Sequence, residues 1–441
     1  MLNVAHFSDL HYADGAKLVE VDRCFSYAVD DAIQRQVKCA VVSGDATDHA
    51  LDVHTPAIIA LAKNIRRLAD HCPVLLIQGT FSHEPQGTLS IFRLLGGKYP
   101  VHVADRISQV ALTTDGTWVE SSGWAFDAVP DSSAALFTCI PTVNKAVIGA
   151  VVGATNAAAA VGEQLSLLLA GYAPINNAAR AAGVPTIGVS HGTVYGCLTE
   201  HDVPMAGNDH EFTTANLFSA AVSAWMLGHI HKHQSWEDGA GHAIAYAGSI
   251  ARLHYGEVGD KGYLTWAVGA KAASCDLVQT PARRTIELNF DGMPDMDYLR
   301  TEAEKVATQG AFVRIRWTVP EEDRDTIDRD AIARLFAGKA VEVKMEGRII
   351  PVVRTRAAGI STAQSVADKI VMWASVTGAE PQPLLGCLEQ LHADTPETIA
   401  EKILYPSGGA PTVAVKPQAV APAVPVILAP ANGKLVSLEL F

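Results

Sequence analysis

The chain has 441 residues, 49% of them hydrophobic and 18% charged, which excludes bulk disorder and calls for two or three folded cores. Lys and Arg number 34 against 47 Asp and Glu, a net charge of −13 with no basic run, so charge alone does not support tight, autonomous nucleic-acid binding. The seven cysteines are scattered and form no CxxC, and MLNVAHFSDLHY carries neither a basic nor an apolar leader region. Reduced thiols in a soluble, cytoplasmic protein are expected.

In chain order, Asn3–Ser8 reads as a short buried strand, and residues 18–37 place apolar side chains at a helical period. Cys39–Ser43 is a second apolar run, Ala57–Ala69 a second amphipathic helix, and Pro73–Ile77 a third strand, giving a βαβαβ start. The most apolar stretch, Ala146–Tyr172, is interrupted by Asn156, Glu163 and Gln164 and reads as a small-residue core helix, not a membrane span. Strands are expected again at Thr186–Ser190, Ala224–Leu227 and His242–Tyr246, so the first domain spans residues 1–270.

A smaller α+β unit is expected over residues 283–357. Its half-exposed strands are Thr285–Phe290, Phe312–Val319 and Val341–Met345, with helices at Tyr298–Ala307 and Asp328–Ala337 between them. Helices at Ser361–Thr377 and Pro396–Leu404 make a third segment, 358–404. Residues 405–433 follow as a Pro/Ala-rich linker, with six prolines in the 25 residues from Pro406 to Pro430, and 434–441 alternate as a final strand.

The chemistry lies in the polar residues that follow the strands. Asp9-Leu-His11 follows the first, Gly44-Asp45-Ala-Thr-Asp48 the second, and Gly79-Thr-Phe-Ser-His83-Glu84 the third. Ser190-His191-Gly192 and Gly228-His229-Ile-His231 follow two later strands. Each motif alone is weak, since Asp-x-His recurs by chance and Gly-Asp is often a turn. Five in order, each at a strand end, deliver imidazoles and carboxylates to one edge of a sheet, where α/β folds place their sites. Mixed imidazole and carboxylate donors suit Mn, Zn or Fe better than Ca, and two such ions close together would form a phosphoryl-transfer site.

This ordered set resembles the calcineurin-like metallophosphoesterases, whose pattern is DxH, GDxxD, GNH(D/E), H and GHxH, over residues 1–265. Tyr246-Ala-Gly-Ser-Ile250, Glu257 and Lys261-Gly262-Tyr263 narrow it to the SbcD family, the nuclease subunit of the SbcC–SbcD DNA-repair complex. Phe290-Asp-Gly, Val313-Arg-Ile-Arg, Val319-Pro-Glu-Glu and Glu342-Val-Lys-Met are similar to that family's cap. The resemblance implies an α/β fold, a metallophosphoesterase β-sandwich flanked by helices and followed by a small α+β capping domain.

The resemblance also assigns roles. Asp45 would bridge two divalent metal ions, Mn²⁺ first and Mg²⁺, Zn²⁺ or Fe²⁺ as alternatives. Asp9, His11 and His231 would complete one site, and His191 and His229 would serve the other. His83 would be the catalytic histidine, protonating the leaving 3′ oxygen or stabilising the transition state, with Glu84 orienting it. The family's asparagine ligand is missing: the loop is two residues longer and Ser82 stands in that place, with Thr80 the alternative donor. His49 and Arg252 are candidates for contact with substrate. His54, His71, His233, His242 and His254, without partners at ligand spacing, read as surface or cap residues, and Arg314 and Arg316, alternating outward on a cap strand, as a solvated face or a lining for DNA.

The implied activity is a Mn²⁺-dependent DNA nuclease of repair and recombination, a 3′–5′ exonuclease on duplex ends and an endonuclease on single strands. Its implied partners are DNA, an SbcC-type ATPase docked on 358–404, and a second copy of the chain. Two alternatives stand beside it: a phosphodiesterase or phosphatase on a non-DNA substrate, and an inactive DNA-end scaffolding subunit.

Overall fold

The computed structural model describes residues 1–15, 17–95, 97–142, 157–205, 211–306, 310–351 and 359–404. The chain opens with β1 (Leu2–Phe7), α1 (Leu18–Gln34), β2 (Cys39–Val42), α2 (Pro56–His71), β3 (Val74–Ile77) and β4 (Val101–Ala104). Next come β5 (Ser108–Thr113), β6 (Trp118–Glu120), β7 (Ser133–Ile140), α3 (Ala157–Gly171) and α4 (Ala173–Ala181). The sequence then runs through β8 (Thr186–His191), β9 (Thr193–Val194), β10 (Glu211–Phe212), α5 (Thr214–Ser219), β11 (Ala224–Gly228), β12 (Gln234–Glu237) and β13 (Ala243–Tyr246). Strands β14 (Gly262–Val268) and β15 (Ala273–Gln279) close the first fold.

These strands form two sheets. One runs β15-β14-β1-β2-β3-β4 and the other β12-β13-β11-β8-β7-β5-β6. Strands β1 to β4 are parallel, and so are β7, β8, β11 and β13. Period-two alternation decides what each face meets. Cys39 and Val41, Leu75 and Ile77 face a core shared with Phe137, Val189 and Met226 of the second sheet. Their neighbours Ala40, Val42, Val74 and Leu76 pack instead with Phe25, Val29, Leu61 and Ile65 of α1 and α2. The outer face of the second sheet, with Trp225, Leu227 and Ile244, is covered by Leu165 and Leu169 of α3 and Leu217 of α5. The result is the helix-flanked α/β sandwich expected from the sequence, with one difference. The motif-bearing strands are split between two sheets, because β4 closes the first and β5 to β7, like β4 unread in the sequence, start the second.

The small unit expected after the sandwich comprises β16 (Arg284–Asp291), α6 (Met296–Val306), β17 (Ala311–Pro320), α7 (Arg329–Phe336) and β18 (Glu342–Ile350). Its sheet order is β16-β17-β18, with β16 and β17 parallel. Val313, Ile315, Trp317 and Val319 of β17 point into a core closed by Leu299, Ile332 and Phe336. This cap belongs to the same compact unit as the sandwich, covering residues 1–319 and 323–349.

The other compact unit holds α8 (Val366–Thr377), α9 (Gln382–Ala393) and α10 (Pro396–Leu404). Ser365 caps α8 by accepting a hydrogen bond from the Asp368 amide, and Gly378, at φ 73°, ends it. Helix α9 has no counterpart in the sequence reading, which left 382–393 unassigned. The linker at 405–433 and the strand at 434–441 lie outside the described residues. Among the described residues, no helix is long and apolar enough to cross a membrane.

Candidate metal centre

The loops after β1, β2 and β3 meet those after β8 and β11 where the two sheets come together. Three glycines make that approach possible. A Cβ on Gly228 would lie 2.1 Å from the Ser43 carbonyl oxygen, and one on Gly79 would lie 2.2 Å from the Asp45 amide nitrogen. At Gly44 (φ +96°), a Cβ would stand 2.2 Å from His191 Nδ1.

Asp9, His11 and His231 converge as one group of potential ligands, and Asp45, His191 and His229 as another, each with its ligand atoms within 4.8 Å of one another. Asp45 joins them, its Oδ2 lying 3.3 Å from His191 Nε2 and 3.8 Å from His11 Nε2. Four of these six residues have left-handed backbones: Asp9 (φ 49°), His11 (φ 48°), Asp45 (φ 49°) and His229 (φ 100°). Non-glycine residues pay strain there, and its concentration at four of the six marks a site the fold is built to hold.

Neighbouring groups fix which nitrogen of each imidazole is free. His191 Nδ1 lies 2.8 Å from the Ser43 carbonyl oxygen, which can only accept, so Nδ1 carries a proton and, in the neutral ring, Nε2 is the nitrogen whose lone pair faces Asp45. His231 Nδ1 lies 2.8 Å from Glu257 Oε1, which in the same way leaves Nε2 bare. That Nε2 stands 3.2 Å from His11 Nε2, with Asp9 Oδ1 4.0 Å from each. Lone pairs converging on lone pairs repel unless a cation or a proton lies among them. The donor set therefore fits divalent cations, held by histidines whose second nitrogens are anchored.

The protein charges show the same need. Burial would lower His191, yet the Asp45 carboxylate beside it outweighs burial and holds it up to about 10. His83 is raised chiefly by its hydrogen bond to Asp45.

The residues expected from the sequence are not all placed as the resemblance implied. His83 sits with Nδ1 2.8 Å from Asp45 Oδ2 and its ring centre 4.8 Å from that of His11. It therefore forms a third potential ligand group with His11 and Asp45, and its side chain is 32% exposed, open to an approaching substrate. Glu84 does not touch that ring. Its buried carboxylate accepts from the amides of Gly79 (2.6 Å), Ala46 (2.6 Å) and Thr47 (3.3 Å), pinning the β2 and β3 loops together. Burial, reinforced by the Asp45 charge, pushes it up to about 7.

Ser82 is exposed and outside the cluster, because the longer loop turns back through hydrogen bonds from the His83 and Glu84 amides to the Thr80 carbonyl. Thr80 takes the inward position, with Oγ1 3.2 Å from both Asp45 Oδ2 and His191 Nε2. Arg252 is likewise not free for substrate. Its guanidinium donates to the carbonyls of Ala282, Arg283 and Gly259, clamping the chain where it enters the cap. His49 is exposed, 3.4 Å from Asp48 Oδ2, while Asp48 Oδ1 reaches within 3.3 Å of His11 Nδ1.

Two features escaped the sequence reading. His254, taken for a surface residue, stacks on His231 with ring centres 6.0 Å apart and planes at 6°. Glu200 joins Glu257 around the buried Lys261, whose ammonium also donates to the His231 carbonyl. No local spacing links residues 200 and 254 to residue 231.

No family model matches the chain, and no curated protein does. Among solved structures, a dimetal phosphatase from Danio rerio is similar to it at 12% identity and a TM-score of 0.37, over 63% of this chain and 98% of that one. Likeness at that level says nothing about function.

Proposed function

We propose that the chain is a two-metal phosphodiesterase acting on DNA, the SbcD-type nuclease subunit of a repair complex with an SbcC-type ATPase. The observation that carries the phosphoesterase reading is Asp45, standing between two groups of anchored imidazoles and carboxylates at the junction of two sheets. Asp9, His11 and His231 would hold one divalent cation, and Asp45, His191 and His229 the other, with Mn²⁺ the first choice. Such a pair supplies a nucleophile at neutral pH and neutralises charge on the phosphoryl oxygens. His83, with Nδ1 committed to Asp45, has Nε2 left to carry a proton to the leaving oxygen.

The finer reading, DNA, draws on the motif resemblance and on the cap. Thr285 Oγ1, on the first cap strand, lies 3.2 Å from the carbonyl oxygens of Tyr255 and Glu257 and can donate its one hydrogen to either, so the cap is tied to the segment that steadies His231. The acidic balance leaves phosphate neutralisation to the cations and to partners: the ATPase, on the helices of 358–404, and a second copy of the chain. One observation favours a smaller diester instead. Arg314 and Arg316 are paired with Glu287 and Glu346, and Arg252 with carbonyls, so none of the three is uncommitted.

Nucleotide release from a 3′-labelled blunt duplex, measured with Mn²⁺, separates these readings. The wild type should act, His83→Ala should not, and chelator should abolish the activity. Hydrolysis of bis(p-nitrophenyl) phosphate with the duplex untouched, even with the ATPase present, contradicts the DNA reading. Failure on both substrates contradicts the enzyme.

A further inference from the structure

We infer that Thr80 is the neutral oxygen ligand of the cation held by Asp45, His191 and His229. The inference rests on the two-metal reading above and names a donor that no carboxylate or imidazole supplies. Thr80 Oγ1 lies 3.2 Å from Asp45 Oδ2 and 3.2 Å from His191 Nε2, facing the point on which both are directed. In the neutral ring, the form that binds a cation, the Ser43 carbonyl holds the proton on Nδ1 and leaves Nε2 an acceptor, as Asp45 is, and one hydroxyl hydrogen cannot serve both. With a cation at that point, the hydroxyl lone pair joins the same ion that draws the other two, and the three-ligand group gains a fourth donor.

The backbone holds Thr80 in place independently of its side chain. Its amide donates to Asp45 Oδ1 at 2.7 Å, and its carbonyl accepts from the amides of both His83 and Glu84. Residue 80 therefore keeps its position when its side chain is changed. Ser82, the hydroxyl nearer in sequence to the catalytic histidine, is exposed on the same turn. A hydroxyl is a weaker donor than an amide oxygen, so this cation binds less tightly than it would with an amide oxygen in the same place.

The test is metal binding, read without turnover. Titration calorimetry with Mn²⁺ on the full chain should show two sites. In Thr80→Val one of the two should lose affinity by roughly ten- to a hundredfold while the other is kept. Thr80→Asn should bind as tightly as the wild type or tighter, and Ser82→Ala should match the wild type. Thr80→Cys loaded with Co²⁺ provides a signature that positioning alone would not produce. A thiolate-to-cobalt charge-transfer band should appear that the wild type lacks, its own cysteines lying outside the ligand groups. Two sites retained unchanged in Thr80→Val, or no such band in a folded Thr80→Cys, overturns the inference and leaves the two-metal reading standing. A wild type that binds no Mn²⁺ overturns both.

Discussion

His231 and Glu257 are joined at 2.8 Å through Nδ1 and Oε1, and Lys261 Nζ stands 3.1 Å from the other oxygen of the same carboxylate. Lys261 has no exposed side-chain surface and is shared with Glu200, so a single buried ammonium lies between two carboxylates. Together these hydrogen bonds and ion pairs hold Glu257 down at about 2, against the burial that would raise it, and so keep it an acceptor for His231.

Lys261→Met should therefore be costly. It leaves the buried Glu257 and the partly buried Glu200 without that partner, a loss of about 3–5 kcal/mol. Urea unfolding should show that loss, and Mn²⁺ titration should show weakening at the Asp9–His11–His231 site alone. Equal weakening at both sites would mean that Lys261 acts through overall stability, not through His231.

The glycines at the sheet junction give a second prediction. Gly228→Ala drives a methyl carbon onto the Ser43 carbonyl and within 2.3 Å of Ser8 Oγ, and Gly79→Ala does the same to Asp45. Backbone on one side cannot yield as a flexible side chain would, so each should destabilise by at least about 1–3 kcal/mol and reduce Mn²⁺ stoichiometry. Gly162→Ala, inside α3 with nothing within 4 Å, should instead stabilise by up to about 1 kcal/mol. Thermal melts of the three variants check the contrast.

His6 sets a pH dependence. It is fully buried, with Nε2 2.8 Å from Ser43 Oγ and Nδ1 accepting from Trp266 Nε1 at 3.4 Å, and burial lowers it from 6.5 to about 3. Below pH 6.5 the unfolded chain binds a proton here that the folded chain refuses. The contribution of His6 is thus complete above 6.5 and is lost at up to about 1.4 kcal/mol per pH unit on the way down to about 3. His6→Gln keeps a donor and an acceptor but does not titrate. Its unfolding free energy should fall less than that of the wild type between pH 7 and pH 5, and parallel slopes would remove His6 as the cause.

Glu84 separates framing from catalysis. Glu84→Gln turns one accepting oxygen into an amide nitrogen facing backbone N–H groups, at a cost of about 1–3 kcal/mol. His83→Ala, at a part-exposed ring, should leave stability within about 1 kcal/mol of wild type. Chemical denaturation of both variants decides whether Glu84 braces the two loops or merely serves the histidine.

How far these features were legible depended on how local their cause is. The strands ending at Phe7, Val42 and Ile77, and the Asp and His residues after them, were readable because alternation and the strand-then-loop order are written in adjacent residues. Strands β4 to β7 were not, since Trp118–Glu120 is only three residues long and the run to Ile140 carries no polar motif. Thr80 and Ser82 could not be told apart, because the turn is decided by amide hydrogen bonds to the Thr80 carbonyl and not by residue type. His254 reaches His231, and Glu200 reaches Lys261, only through tertiary packing, and the three carbonyls that hold Arg252 are not announced by its neighbours in sequence.

The central claim, two cations sharing Asp45, is tested most directly by anomalous diffraction from crystals grown with Mn²⁺. The account requires two peaks, one among Asp9, His11 and His231 and one among Asp45, His191 and His229, both in reach of the Asp45 carboxylate. A single peak, or two peaks of which neither touches Asp45, would contradict it.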